Sequence, residues 1–185
     1  MDGHHLILGE VADFLTGEII RDTHDERYRQ AIARLLVEQK GYAKKDILSR
    51  RDLRVTAGEK CAIIQVDFCV EIENRIYMII RYGPGSLVTR HRPSLAVSRT
   101  FTGYQIPIVV VTNGVEADII EGGSGAVLTQ GLDKIPAKSE LLAHVRPADF
   151  ALISKERAEK ELRIIYAFDV DGSCPCDDTV CRLTG

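Results

Sequence analysis

Residues 61–85 read Cys-Ala-Ile-Ile-Gln-Val-Asp-Phe-Cys-Val-Glu-Ile-Glu-Asn-Arg-Ile-Tyr-Met-Ile-Ile-Arg-Tyr-Gly-Pro-Gly, and this stretch decides the fold class. Two runs rich in Val, Ile, Phe and Tyr, 61–73 and 75–82, meet at Glu73-Asn74, a dipeptide suited to a tight turn, and end at Gly83-Pro84-Gly85. A similar run, 51–56, precedes them. Together they predict a three-stranded antiparallel meander.

Outward from the meander the period changes from two to 3.6. Upstream, Thr23-His24-Asp25-Glu26 reads as a capping box, in which the threonine oxygen accepts from the third amide while Glu26 reaches back. A helix is expected to about Lys40, with Tyr28, Ala31, Ile32, Leu35 and Leu36 as its apolar stripe and Gly41 as its stop. Downstream, a helix is predicted from near Pro93 to Thr102, because proline suits a first turn. Ile108–Val111 is an unbroken apolar run fit for a strand buried on both faces, and Asn113-Gly114 ends it. Ala117–Glu121 and Ala126–Thr129 form a hairpin pattern around Gly122-Gly123. The core order is therefore α-β-β-β-α-β, with further helices read at Ser139–Val145 and Ser154–Arg163 and a loop over 171–178.

A chain of 185 residues, 45% of them hydrophobic, buries one good core and is too short for two ordinary domains. The expected organisation is one domain over 1–170, its core at about 23–130, followed by a cysteine-containing tail over 171–185. The formal net charge of −3 gives no general basic excess, so any surface for nucleic acid has to be local. No apolar run approaches eighteen residues, and the first residues lack a basic-then-apolar leader, so no membrane association or secretion is expected. Five cysteines, an odd count, argue for reduced thiols and a cytoplasmic location.

The stretches Asp25 to Gln30, Leu35 to Glu38, Gly41-Tyr42, Val66-Asp67-Phe68, Pro84-Gly85 and Tyr104 to Gly114, in that order and spacing, carry a resemblance. About half the chain resembles the N-terminal nuclease domain of type I restriction enzyme R subunits, within the PD-(D/E)xK, restriction-endonuclease-like superfamily. The resemblance implies an α+β core with a mixed central sheet flanked by helices. It also implies an endodeoxyribonuclease site in which an aspartate on the second meander strand and an acid-x-lysine pair on the third hold a hydrated magnesium ion. The chemistry is plain: magnesium takes hard oxygen ligands and keeps waters, while the lysine orients or deprotonates the attacking water. Strand neighbours alternate faces, so acid and lysine have to stand two residues apart.

By this resemblance Asp67 takes the aspartate position and Glu26 the helix acid. The third strand departs from the pattern. With Gly83-Pro84-Gly85 set on the family's exit turn, Ile80 stands at the acid and Tyr82 at the lysine. A branched alkyl group cannot ligate magnesium, and a phenol with a reference pKa of about 10 is a poor replacement for lysine. Escape routes are Arg81 swinging into the lysine's place, a carboxylate migrated to Glu71 or Glu73, or a register shifted by one, which puts Arg81 at the lysine and Ile79 at the acid and so still lacks an acid.

Arg50, Arg51 and Arg54 at the start of the meander, and Arg81, Arg90, Arg92 and Arg99 around the second helix, are the candidate nucleic-acid contacts, since a guanidinium fork donates two bonds to a phosphate at once. Ser98-Arg99-Thr100-Phe101-Thr102 stands where the resembled family carries a Gln-x-x-x-Tyr element. Cys174, Cys176 and Cys181, with Cys61 and Cys69 in reserve, are candidate ligands for zinc or an iron–sulfur cluster. Their spacing lacks the paired CxxC of a zinc ribbon, and the favoured expectation is that neither magnesium nor a thiol-bound metal is held.

Three functional expectations follow. The leading one is a stand-alone nuclease-like module with a degenerate site that binds nucleic acid, DNA in the first place, or other proteins, including its own copies. The second is a magnesium-dependent DNA endonuclease with a rearranged site. The third is a regulatory module stapled by thiol-bound metal.

Overall fold

The computed structural model describes residues 6–173 and 179–183. In chain order these form β1 (Gly9–Ala12), β2 (Ile19–Asp22), α1 (His24–Arg34), β3 (Ile47–Ala57), β4 (Lys60–Ile72) and β5 (Arg75–Tyr82). Then follow α2 (Val88–Thr100), β6 (Ile108–Thr112), β7 (Ala117–Glu121), β8 (Val127–Gln130), α3 (Lys138–His144), α4 (Lys155–Ile165) and β9 (Val180–Leu183). No helix among the described residues is long and apolar enough to cross a membrane.

The predicted meander forms. Glu73 and Asn74 both take left-handed φ, 52° and 60°, the backbone that lets a two-residue turn match the twist of its strands. The sheet runs β3-β4-β5-β6-β7-β8, antiparallel except where α2 carries the chain across to set β6 parallel to β5. This is the mixed sheet expected of a restriction-endonuclease-like core. On one face, Val55, Ile64, Val66 and Val109 pack with Leu95 and Val97 of α2 and Ile165 of α4. On the other, Phe68, Met78 and Ile80 pack with Ile32 of α1, Leu36 just past its end and Leu141 of α3.

Thr23 caps α1 as read, its hydroxyl accepting from the Glu26 N–H at 3.1 Å. The other half of the capping box is replaced. The Glu26 carboxylate turns to Arg50 at 2.6 Å and Gln30 at 2.7 Å, because a charge-assisted bond and an amide donor outweigh one backbone amide. Beyond Arg34 the helix widens into a π-helical turn, Leu35–Gln39, and stops at Gly41, whose φ is 73°. The buried stripe of α1 is Glu26, Ile32, Ala33 and Leu36, whereas Ala31 is exposed and Tyr28 is 38% exposed. The inward face is thus rotated relative to the stripe read from apolarity alone. Likewise α2 starts at Val88 rather than near Pro93, and Val88 and Thr89 are exposed, so its first turn lacked an apolar signal.

At Asp67 the face alternation of β4 slips. Ile64 and Val66 belong to the core under α2 and α4, while Phe68 and Val70 belong to the core under α1. Phe68 is the last β4 residue paired with β5, opposite Ile80; upstream, β4 pairs instead with β9, from Ile64↔Val180 to Cys61↔Leu183. The cysteine-containing tail, past the stretch 171–178 read as a loop, therefore supplies a strand, because the parting of β4 and β5 leaves an edge free for it. Arg50 lies across the ladder between the pairs Ser49↔Phe68 and Arg51↔Val66, and takes a left-handed φ of 50°. A non-glycine residue there costs roughly 1–2 kcal/mol, and such strain gathers at functional positions.

Candidate functional site

The fork between β4 and β5 is where the sequence predicts a site, and the geometry there is built on Asp67. Parting the strands leaves the Tyr82 N–H without a ladder partner, and Asp67 Oδ2 accepts it at 2.8 Å. The other oxygen, Oδ1, accepts from Arg29 Nε of α1 at 2.6 Å, with Asp67 only 8% and Arg29 18% exposed. Burial opposes the Arg29 charge, but Asp67, with Glu26 and Asp25 behind it, outweighs that and holds the guanidinium pKa above the ordinary arginine range. A fixed cation from the protein's own helix therefore stands against the carboxylate that the resemblance assigns to a metal.

Ile80 and Tyr82 fill the space next to it. Ile80 is fully buried among Phe68, Met78 and the α1 side chains. The Tyr82 ring stacks on Tyr28, centroids 5.8 Å apart, and lies 5.0 Å below the Arg29 guanidinium. Its hydroxyl donates to Asp25 at 2.9 Å, and burial followed by that acid pushes the phenol further above its ordinary pKa. It is a worse proton acceptor at neutral pH than a free tyrosine. Gly114, φ 87°, has no side chain because a Cβ there would come within 2.2 Å of the Tyr28 ring.

A second ring of charge surrounds this one. Arg50 bridges Glu26 and Asp13, at 2.6 and 2.7 Å, and Gln30 donates to the same two acids. Asp13 follows β1. Burial raises its pKa, but the Thr16 amide, Arg50 and Gln30 more than offset this and hold it down at about 2. Every acid near the fork is engaged by a donor of the protein itself. Magnesium needs free hard oxygens with room for water, so the residues present do not fit it. Neither side-chain escape is realised in this arrangement: Arg81 turns to Asp169, both Nη1 and Nη2 lying 3.2 Å from Oδ2, and Glu71 and Glu73 lie toward the far end of β4, on or before the Glu73-Asn74 turn.

The fork opens into a cleft of about 970 Å³. Five arginines line it, Arg21, Arg29, Arg50, Arg81 and Arg90, against the four acids Asp25, Glu26, Asp67 and Asp169. Of the seven arginines singled out from sequence, the structure brings Arg50, Arg81 and Arg90 together here. Arg90 rests against Gly83, where any Cβ would collide with its guanidinium, and donates to the Pro84 carbonyl at 3.2 Å. Arg51 and Arg54 are exposed on β3, Arg54 donating to Cys61 Sγ at 3.1 Å. Arg92 and Arg99 lie at the α2–α4 interface, both bound to Glu161, at 2.6 and 3.0 Å.

Of the candidate thiol ligands, Cys174 and Cys176 lie outside the described residues. Cys181 is exposed on β9, Cys61 lies on the neighbouring strand β4, and Cys69 is buried with its thiol pushed up to about 12 by desolvation. Among the described residues no three or more His, Cys, Asp or Glu side chains are grouped to hold a metal ion.

Sequence reasoning missed Arg29, Asp13 and the β1–β2 hairpin that delivers Asp13. Arg29 had a signal: it stands three and four residues before Ile32 and Ala33 and seven before Leu36, so it shares their buried stripe, and a cation there needs a buried partner.

Searches among curated proteins and among solved structures returned no match. The family model of the type I restriction enzyme R protein N terminus matches residues 24–136, from the first residue of α1 past β8 and over well more than half of the chain. With the order of its elements and the position of Asp67 on the fork, the chain belongs to the type I restriction enzyme R protein N-terminal family.

Proposed function

We propose that this chain is a nuclease-fold module whose catalytic pair has been lost and which works by binding nucleic acid in the arginine-lined cleft. The observation that carries the reading is the Arg29–Asp67 pair: the carboxylate that would hold a metal holds a guanidinium instead, at 2.6 Å. Ile80 and Tyr82 supply neither a ligand nor a base beside it. What the cleft offers is guanidinium forks, which recognise phosphate oxygens by paired charge-assisted bonds and need no metal to do so.

The test is incubation of the purified protein with DNA and magnesium or manganese, beside an Asp67→Ala control. No cleavage by either is expected. Cleavage by the parent that the substitution abolishes would restore the rearranged-endonuclease reading. Binding is read separately, as a shift of labelled DNA that weakens steeply with salt, because each phosphate neutralised releases counterions. Absence of a shift at low salt would leave a protein partner as the remaining role.

A further inference from the structure

The cleft is not walled by the family core alone. Ile7, Ile19 and Ile20 of the N-terminal hairpin region and Phe168, Asp169 and Val180 of the C-terminal segment also line it, all outside the matched stretch 24–136. These additions extend the lining of the cleft beyond the family core. A volume of about 970 Å³ is the size of a small-ligand pocket and holds a few nucleotides; a duplex needs a broad open groove.

Two arginines in the cleft have donor capacity left over. Both terminal nitrogens of Arg81 donate to a single Asp169 oxygen, at 3.2 Å, which leaves each a second N–H. Arg90 has no acidic partner among them and is held in place by Gly83 and the Pro84 carbonyl. The acids of the cleft, by contrast, are engaged: Asp25 by Tyr82, Glu26 by Arg50 and Gln30, Asp67 by Arg29, Asp169 by Arg81. Beside Asp169 the Phe168 ring is 53% exposed and lines the same cleft. An exposed aromatic in a groove lined by arginines is how proteins hold unpaired bases.

Resting on the nucleic-acid reading above, we propose that the cleft takes a single-stranded segment rather than a duplex, with a phosphate between Arg81 and Arg90 and a base laid on Phe168. Base stacking is sequence-tolerant because every base has a π-face, so the segment is recognised as unpaired strand and not by sequence.

The full chain is titrated into a fluorescein-labelled short oligothymidylate and, at the same salt, into a blunt duplex of equal length, with anisotropy as the readout. The single strand is expected to bind at least tenfold more tightly. Phe168→Ala is expected to weaken single-strand binding roughly tenfold, the size of one stacking contact, while Phe168→Tyr retains it. Arg90→Gln weakens it and flattens its salt dependence by about one phosphate. Duplex binding as tight as single-strand binding, or a Phe168→Ala variant that binds like the parent, overturns the single-strand proposal and leaves the nucleic-acid reading standing. Failure of both probes to bind at low salt overturns both. Phe168 is exposed, so its replacement does not threaten the fold, and circular dichroism of each variant checks this.

Discussion

Two carboxylates lie buried against arginine on opposite faces of the same sheet. Glu161 on α4 receives Arg92 and Arg99 of α2 under one face, with Arg99 9% and Glu161 5% exposed. Asp67 on β4 receives Arg29 of α1 at the fork. Arg99 spends its remaining donors on Gln105 and on the Gly122 and Gly123 carbonyls, so that cluster is a closed lock between two helices and a turn. The Asp67 pair instead faces a cleft that Arg81 and Arg90 also line. A buried ion pair is therefore not by itself a mark of function; what separates the two is the open space beside Asp67.

The largest expected effect breaks the closed cluster. Glu161→Ala leaves the Arg99 guanidinium buried without its counter-charge, in a setting where desolvation already holds its pKa below the ordinary range. Removing one partner of such a pair costs about 3–5 kcal/mol. Urea unfolding should show that loss, while affinity for oligothymidylate per folded molecule stays at the parent value.

Asp67→Ala comes next and should separate stability from binding. Unfolding is expected to cost about 2–3 kcal/mol, less than at Glu161, because water in the cleft reaches Arg29 once the carboxylate is gone. Freed from Asp67, Arg29 adds a cation to the cleft, so nucleic-acid affinity should rise several-fold. In a metal-dependent nuclease the same change removes a ligand and kills activity, which makes a drop in affinity the result that would sink the non-metal reading.

How much of this was legible follows the same division. The meander, its turn at Glu73-Asn74, the buried strand at Ile108–Val111 and the position of Asp67 are local patterns of period and turn chemistry, and each stands where the sequence puts it. The departure at Ile80 and Tyr82 was legible because a family pattern fixes which residue types have to stand there. The pairing of Asp67 was not, since Arg29 comes from 38 residues away on another element, and its place on the buried stripe says that it needs a partner but not which one. The strand β9 and the hairpin β1–β2 are four residues per strand, too short for alternation to stand out, and they form because free edges and a ring of polar groups wait for them.

Asp13 gives a pH signature of the second ring. Its folded pKa of about 2 lies below the ordinary aspartate value of 3.8, so the stability it adds is complete above about pH 4 and is lost as pH falls through 2. The shift corresponds to roughly 2 kcal/mol. Asp13→Asn should lower stability at pH 5 and flatten its fall between pH 4 and 2. An unchanged acid limb would mean that the β1–β2 hairpin is not tied to the site through this carboxylate.

The smallest effects are expected on the outer strand. Arg51 and Arg54 are exposed on β3, have no acidic partner among the described residues and are not among the residues lining the cleft. Surface substitutions of that kind stay within about 0.5 kcal/mol in stability. If the unspent donors beside the fork are what recognises phosphate, Arg51→Gln and Arg54→Gln should leave oligonucleotide affinity nearly unchanged while Arg90→Gln weakens it. Equal losses at all three would instead spread the contact over β3 and make it general charge attraction, with no special part for the fork. The comparison thus turns on position: these arginines carry the same charge and differ in whether a cleft surrounds them.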